Sequence, residues 1–311
     1  MSLFEAGVPA LVSREAGPST ALHHKMLIDL FLTLQMLGFV GSCALVLTTT
    51  LSSRAPRNAT WQNFFTAWIV STVSYSLLLF SGQLNNPKPS FGVCLAQSGL
   101  IYGIPSLNAA TAFGLIAQIW FSVQTVLSKK IKYERLWIIG LLILPYAFLV
   151  AIVVAAWTTG IRNSGSVELI GSGMYCHLGH SATLGRVSAA IVALLLIPTL
   201  ALEIAICVAL RRNWGTFKKM RNSLSIIMRV VIFTIFGTLA IGVSGVFVFS
   251  DAHGAALNIV LAILPVTAVV VFATQKDIIR VWMFWKRPLP ADEKSLDDSS
   301  PRSSKSSAPP V

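Results

Sequence analysis

Charged residues are scarce in this chain of 311 residues: only 12% are Asp, Glu, Lys or Arg, and 12 residues in all are acidic. Soluble globular proteins carry about 25% charged residues. Hydrophobic residues make up 54% of the chain, and its mean hydropathy is +0.72. The composition therefore excludes a large soluble core and predicts an integral membrane protein.

Sequence motifs of common enzyme classes are also absent. There is no HExxH, no GxSxG between a strand and a helix, no phosphate-binding loop and no pair of aspartates within the apolar stretches. The last apolar stretch, 256–274, lacks a lysine, which excludes a light-driven pump with a Schiff base there. We therefore expect neither enzymatic activity nor a cofactor, and no metal site at His177, His180 and His253.

The residues before Leu27 lack the parts of a cleaved signal peptide. They contain no basic segment followed by a compact apolar core and a small-residue cleavage site. We expect the first apolar stretch to act as its own insertion signal.

What the sequence has is a series of long apolar stretches, and a membrane helix needs roughly 20 such residues. They predict an all-α, seven-transmembrane helix bundle between residues 27 and 274, after an outer leader of residues 1–26. The predicted spans are 27–51, 62–83, 93–127, 136–159, 184–210, 226–250 and 256–274.

The placement of basic residues predicts the orientation. Of the 24 Lys and Arg residues, twelve lie in the three loops on one side and five in the leader and the opposite loops. Basic loops remain in the cytosol, so we expect an extracellular N-terminus, a cytoplasmic C-terminus and a place in the plasma membrane. The same rule explains the net charge of +12 without a nucleic-acid partner.

Two segments follow the seventh span. Residues 275–287 place apolar and aromatic side chains on one side of a helix, which predicts an amphipathic helix lying at the membrane surface. Residues 288–311 are rich in Ser and Pro and predict a disordered cytoplasmic tail. Its serines are either phosphorylation sites or part of an inert tail.

The four cysteines fall into two groups. Cys43 and Cys207 lie within spans, where a thiol usually acts as a small apolar side chain. Cys94 begins the third span and Cys176 lies in the long outer loop, both on the predicted extracellular side. That compartment favours disulfides, so we predict a bridge between Cys94 and Cys176.

Polar residues within the spans are few. Glu203 is the one deep carboxylate, and it either pairs with Arg211 on the same helix or acts as a switch or proton site. Four neutral residues in the outer halves of spans suit either contacts between helices or a ligand cavity: Gln97, Tyr102, Asn108 and Asn258. The scarcity of charge there predicts a small lipophilic or weakly polar ligand.

The basic segment after the fifth span has two interpretations. Between Arg211 and Arg229, aromatic and basic residues alternate, and four of them are predicted contacts for a cytoplasmic partner: Trp214, Lys218, Lys219 and Arg221. The alternative is that the segment binds anionic membrane lipid.

Seven spans, an outer N-terminus, the predicted disulfide, a basic third inner loop and the last amphipathic helix together resemble a G-protein-coupled receptor over residues 26–287. The end of the chain's membrane domain is similar to seven-helix receptors of fungi, in particular uncharacterised ones of mushroom-forming basidiomycetes. The similarity lies in Leu264-Pro265, in the stretch 272–277 that reads Phe-Ala-Thr-Gln-Lys-Asp, and in the Trp-rich run that follows. The resemblance implies that this run is the membrane-lying eighth helix.

The chain departs from the rhodopsin-like class. Its third span ends in Gln-Thr-Val-Leu at 124–127 without an Asp/Glu-Arg-Tyr motif, and its seventh lacks Asn-Pro-x-x-Tyr. The resemblance thus implies a divergent receptor that senses an extracellular small ligand and signals to a heterotrimeric G protein. In this interpretation, the G protein contacts Trp214, Lys218, Lys219 and Arg221. The alternative is a seven-span transporter or a lipid-translocating exporter.

Overall fold

A computed structural model describes residues 18–52, 57–127, 134–179, 182–213 and 255–283. Eight α-helices lie in these ranges. They are α1 (Pro18–Leu51), α2 (Ala59–Tyr75), α3 (Leu77–Phe80), α4 (Phe91–Val126), α5 (Glu134–Arg162), α6 (Ala182–Arg212), α7 (Ala255–Ala273) and α8 (Lys276–Trp282). Between α5 and α6 lie a 3-10 turn (Ser164–Ser166) and two short strands, β1 (Val167–Leu169) and β2 (Cys176–Leu178).

Four of the described helices are long and apolar enough to cross a membrane. They are Lys25–Leu51 in α1, Phe91–Val126, Arg135–Arg162 in α5 and Thr183–Arg212 in α6. This supports the prediction of a mostly helical, multi-pass membrane protein.

The remaining three predicted spans have different outcomes. In the second, 62–83, α2 is 17 residues long and stops before Ser76, after which the short α3 begins. The seventh span corresponds to α7. Its apolar part, Asn258–Ala273, is shorter than each of the four helices of membrane length named above. The sixth, 226–250, lies outside the described residues.

Besides an apolar core, the structure has exposed apolar side chains on its outer surface and buried polar side chains between helices. Large apolar side chains are exposed on the outer faces of α5 and α6, with Leu136 at 68%, Leu194 at 71% and Ile197 at 69%. Polar side chains such as Gln97 and Ser106 are fully buried between helices. Because lipid is as apolar as Leu, this arrangement suits helices that face hydrocarbon and pair their polar groups inside.

Helix α4 is the centre of the bundle. It packs against α2, α5, α6 and both strands, whereas α1 packs against α2, α7 and α8. Beside its second half, aromatic rings of α2 and α7 form the largest core cluster, in which Phe65 lies 4.5 Å from Trp61 and 5.4 Å from Phe272 between ring centroids. Ile278 of α8 is fully buried in the same cluster, so α8 is docked on the bundle.

Two glycines one turn apart allow α4 and α5 to approach closely. A Cβ atom on Gly99 would lie 2.5 Å from Nε1 of Trp157, and one on Gly103 would lie 2.7 Å from Cδ1 of Leu149. Gly-x-x-x-Gly spacing places both glycines on one helix face and is common at such contacts in membranes.

Replacing Gly103 by Val should separate α4 from α5, since the side chain would clash with the Leu149 side chain and lie near its carbonyl oxygen. Overpacking of this kind costs about 1–3 kcal/mol, which should lower the melting temperature of the purified protein. Gly92→Val in the same helix is the matched control, since a Cβ at Gly92 meets nothing within 4 Å. Equal melting temperatures for the two variants would contradict the role of this contact.

Candidate functional site

A disulfide ties the loop between α5 and α6 to the start of α4. Cys94 and Cys176 are bonded, with their Cα atoms 5.1 Å apart, and both side chains are buried. The predicted pairing is confirmed. The bridge places β2 against the N-terminal end of α4.

The loop itself contains a small β-hairpin. β1 and β2 pair antiparallel, with Val167 opposite Leu178 and Leu169 opposite Cys176. Gly173 has a φ of 67° in the connecting turn, and its N–H donates to the carbonyl of Ile170. The sequence prediction treated this segment as a Gly- and Ser-rich loop. The available signal was two short runs with alternating apolar residues around Gly-Ser-Gly.

Gln97 connects three elements. Its Nε2 donates to the carbonyl oxygens of Ser74 (3.1 Å) and Tyr75 (3.3 Å) in α2, and its Oε1 accepts from the N–H of Cys176 (2.9 Å). The side chain is fully buried. One amide therefore bonds backbone groups both at the end of α2 and in β2.

Tyr102 and Asn258 hold the hairpin from two sides. The Tyr102 hydroxyl donates to the carbonyl of Leu178 (3.2 Å). Asn258 of α7 accepts from the Tyr175 hydroxyl (2.8 Å) and donates to the Ser172 hydroxyl (3.2 Å). Three of the four predicted ligand residues thus bind the hairpin, and a ligand contact by them stays a prediction.

Tyr175, the hairpin residue just before β2, is buried, and its hydroxyl donates a hydrogen bond. Its ring centroid is 5.6 Å from that of Tyr75 and 6.3 Å from that of Phe31. Burial raises the pKa of Tyr175 well above its ordinary value, and the neighbouring Tyr75 and Tyr102 raise it further, against a smaller opposing effect of the bond to Asn258. The hydroxyl therefore stays protonated and keeps donating to Asn258.

A cavity of about 170 Å³ lies in the middle of the bundle, and the fourth predicted ligand residue, Asn108, lines it. Residues of α1, α2, α4, α6 and α7 form its walls, and most of them are apolar or aromatic. The polar ones are Gln35, Ser71, Tyr75, Asn108 and Thr199. No Asp, Glu, Lys, Arg or His is among the described residues that line it.

Gln35 is the cavity residue that sequence reasoning missed. It is 2% exposed, and its Oε1 has no hydrogen-bond partner among the described residues. The signal was present, because Gln35 is the single amide side chain in the predicted first span, 27–51.

Glu203 and Arg211 lie at different depths of α6, and the pair between them stays a prediction. Glu203 is 6% exposed within α6, one turn beyond the cavity residue Thr199, whereas Arg211 is exposed near the helix end. Eight residues of helix separate them by about 12 Å along the axis. The alternative role of Glu203 as a switch or proton site stays a prediction.

The predicted G-protein contacts Trp214, Lys218, Lys219 and Arg221 lie outside the described residues. On the same predicted inner side, the structure describes the junction of α7 and α8. Arg57 donates to Oε1 of Gln275 and lies 3.5 Å from Oδ2 of Asp277, and Trp282 donates to the Thr48 hydroxyl at 2.9 Å. Burial lowers the pKa of Arg57, whereas the Asp277 carboxylate raises it.

No protein-family model matches the chain, and no curated protein matches it in sequence. The residues and their geometry therefore carry the functional argument.

Replacing Cys94 or Cys176 by Ser should release the hairpin from α4. Loss of a disulfide typically costs about 2–4 kcal/mol, so we expect a lower melting temperature and less protein at the cell surface. Cys207→Ser is the control, since Cys207 is a free thiol in α6. Normal stability and trafficking of both Ser variants would contradict a structural role for the bridge.

Replacing Gln97 by Leu should loosen the hairpin while the disulfide remains. The buried N–H of Cys176 would lose its bond to the Gln97 side chain, and two carbonyl groups of α2 would each lose one hydrogen bond. A buried group left unpaired costs about 1–3 kcal/mol. Hydrogen–deuterium exchange should then increase in residues 174–178. Gln118→Leu, a buried position of α4 outside this contact, should leave that exchange unchanged; an equal increase would mean that the effect is nonspecific.

Proposed function

We propose that the chain is a seven-transmembrane receptor of the plasma membrane that senses a small lipophilic or weakly polar extracellular ligand and signals to a cytoplasmic heterotrimeric G protein. The observation that carries the proposal is the cavity in the middle of the bundle. Ligand pockets are typically concave and largely apolar with a few polar groups, and this cavity has that composition.

The walls of the cavity include positions where helices can bend. Pro105 in α4 and Pro265 in α7 both line it, and each lies inside its helix. A proline removes a helix hydrogen bond, which neighbouring groups compensate in membranes. A ligand that fits one arrangement of these helices better than another would shift the balance between them through that difference in affinity.

The proposed topology places the disulfide and the hairpin outside and α8 inside. Oxidising conditions outside the cell favour the bridge, and the excess of basic residues in the opposite loops favours the cytosolic side. In this arrangement the hairpin covers the extracellular end of the bundle, α8 follows the seventh span at the inner surface, and the basic segment between Arg211 and Arg229 faces the G protein.

A seven-span transporter or lipid exporter is the second candidate, and one observation favours it. Glu203 is buried one turn from the cavity residue Thr199. Transporters commonly place ionisable groups near the membrane midplane. The two candidates differ in whether the chain acts on a G protein.

Nucleotide exchange on Gα subunits of the source organism is the experiment that tests the receptor proposal. The full chain in lipid discs should accelerate exchange relative to empty discs even without added ligand, because receptors usually retain some basal activity. No acceleration, with culture extracts present as well, would contradict the proposal. Substrate flux with Glu203→Gln would then test the transporter.

A separate variant tests the proposed contact with the G protein. Replacing Lys218, Lys219 and Arg221 by Ala should slow the exchange if these residues bind the G protein. Replacing Lys294, Arg302 and Lys305 by Ala is the matched control, since it removes the same charge from the predicted tail. Equal exchange rates for the two variants would assign the basic segment to lipid binding.

A further inference from the structure

Two amide oxygens at the central cavity lack hydrogen-bond partners. Gln35 of α1 is almost fully buried, and neither its Oε1 nor the Oδ1 of Asn108 in α4 has a partner among the described residues. The only polar contact that the structure describes for the Asn108 amide is a long one of 3.4 Å from its Nδ2 to the Ser71 hydroxyl. Both side chains line the cavity.

Among the described residues that line the cavity, Gln35 and Asn108 are the ones with an unpaired amide oxygen. The buried Gln97 amide has all its hydrogen-bonding atoms engaged, and the buried Thr111 and Thr72 hydroxyls donate to carbonyls of their own helices. An unpaired acceptor in apolar surroundings is costly. Gln35 and Asn108 thus provide acceptors at a cavity that has room for a donor.

The charge of the cavity limits the ligand further. Since no cationic side chain is among its described lining residues, a carboxylate or phosphate would enter without a counter-charge; since no carboxylate is among them, neither would an ammonium group find one. Burying an unpaired charge costs far more than burying a neutral polar group. The described lining residues therefore favour a neutral ligand.

We propose that the cavity binds a neutral, largely apolar alcohol whose hydroxyl group donates to the amide oxygen of Gln35 or Asn108. The hydrocarbon part would pack against the aromatic and aliphatic walls, which include Phe64, Trp68 and Leu264. A hydroxyl group also accepts, so it can bond the Ser71 hydroxyl at the same time. This inference deepens the proposed receptor function and depends on it for biological meaning, but it makes its own claim about ligand chemistry.

The test compares three probes that differ only at the polar end: 1-decanol, its methyl ether 1-methoxydecane and decanoate. The full chain is placed in lipid discs, and its melting temperature is followed as each probe is added, since a ligand of the folded state raises it with concentration. Partitioning into empty discs corrects each probe concentration for uptake by lipid. We expect the alcohol to bind about tenfold more tightly than the ether, which cannot pair the amide oxygens, and decanoate to bind more weakly than the alcohol.

Variants with side chains of nearly the same size test whether Gln35 and Asn108 cause the preference for the alcohol. Gln35→Met or Asn108→Leu should abolish the preference for the alcohol over the ether, and Gln35→Met should also melt higher than the wild type without any probe, because it removes an unpaired buried oxygen. Gln118→Met is the matched control, as Gln118 is buried in α4 but is not among the residues that line the cavity. It should keep the preference.

Three results would overturn the inference: equal binding of alcohol and ether by the wild type, an unchanged preference in both cavity variants, or no binding of any probe. Each is independent of the receptor proposal, since basal nucleotide exchange is measured without probes. Exchange without alcohol binding would leave the receptor and reject this ligand class. Alcohol-specific binding without exchange would support the site and reject the receptor.

Discussion

Polar groups inside an apolar bundle have to find partners within the protein, because hydrocarbon offers none. This constraint explains how α4 organises the structure. Gln97 uses its whole amide to pair backbone groups of α2 and β2, and Tyr102, one and a half turns further along, binds the other end of β2. The disulfide at Cys94 lies one turn before Gln97. The hairpin is thus held by Cys94, Gln97 and Tyr102 of α4, and from the other side by Asn258 of α7.

The same constraint makes the buried polar groups that lack a hydrogen-bond partner informative. Helix α1 buries Gln35, Ser42 and Thr49 at intervals of seven residues, which places them on one face. Thr49 donates to its own helix, whereas the Ser42 hydroxyl and the Gln35 oxygen have no partner among the described residues. Only Gln35 of these three lines the cavity. Gln35 differs from Ser42 in that its unpaired oxygen belongs to a residue that lines the cavity.

Sequence can predict the parts of the fold that depend on the composition of a local stretch or on the topology of the whole chain. Long apolar stretches indicate helices of membrane length, and the compartment of Cys94 and Cys176 indicates a disulfide. The roles of Gln97, Tyr102 and Asn258 were not predictable in the same way. Their partners lie about 20 to 90 residues away and several are backbone carbonyls, which carry no residue-specific signal. A polar residue that anchors a loop and one that faces a ligand look alike in sequence until the fold brings their neighbours together.

The junction of α7 and α8 has a mechanical consequence. Trp282 is bonded to Thr48 near the end of α1, Gln275 and Asp277 contact Arg57 in the following loop, and Ile278 is buried in the core. Since α1 also packs along α2 and α7, these four helices are coupled at one end of the molecule and resist sliding past one another. Because these contacts join α8 to α1 and to the loop before α2, a movement of α7 along its axis would have to carry those elements with it.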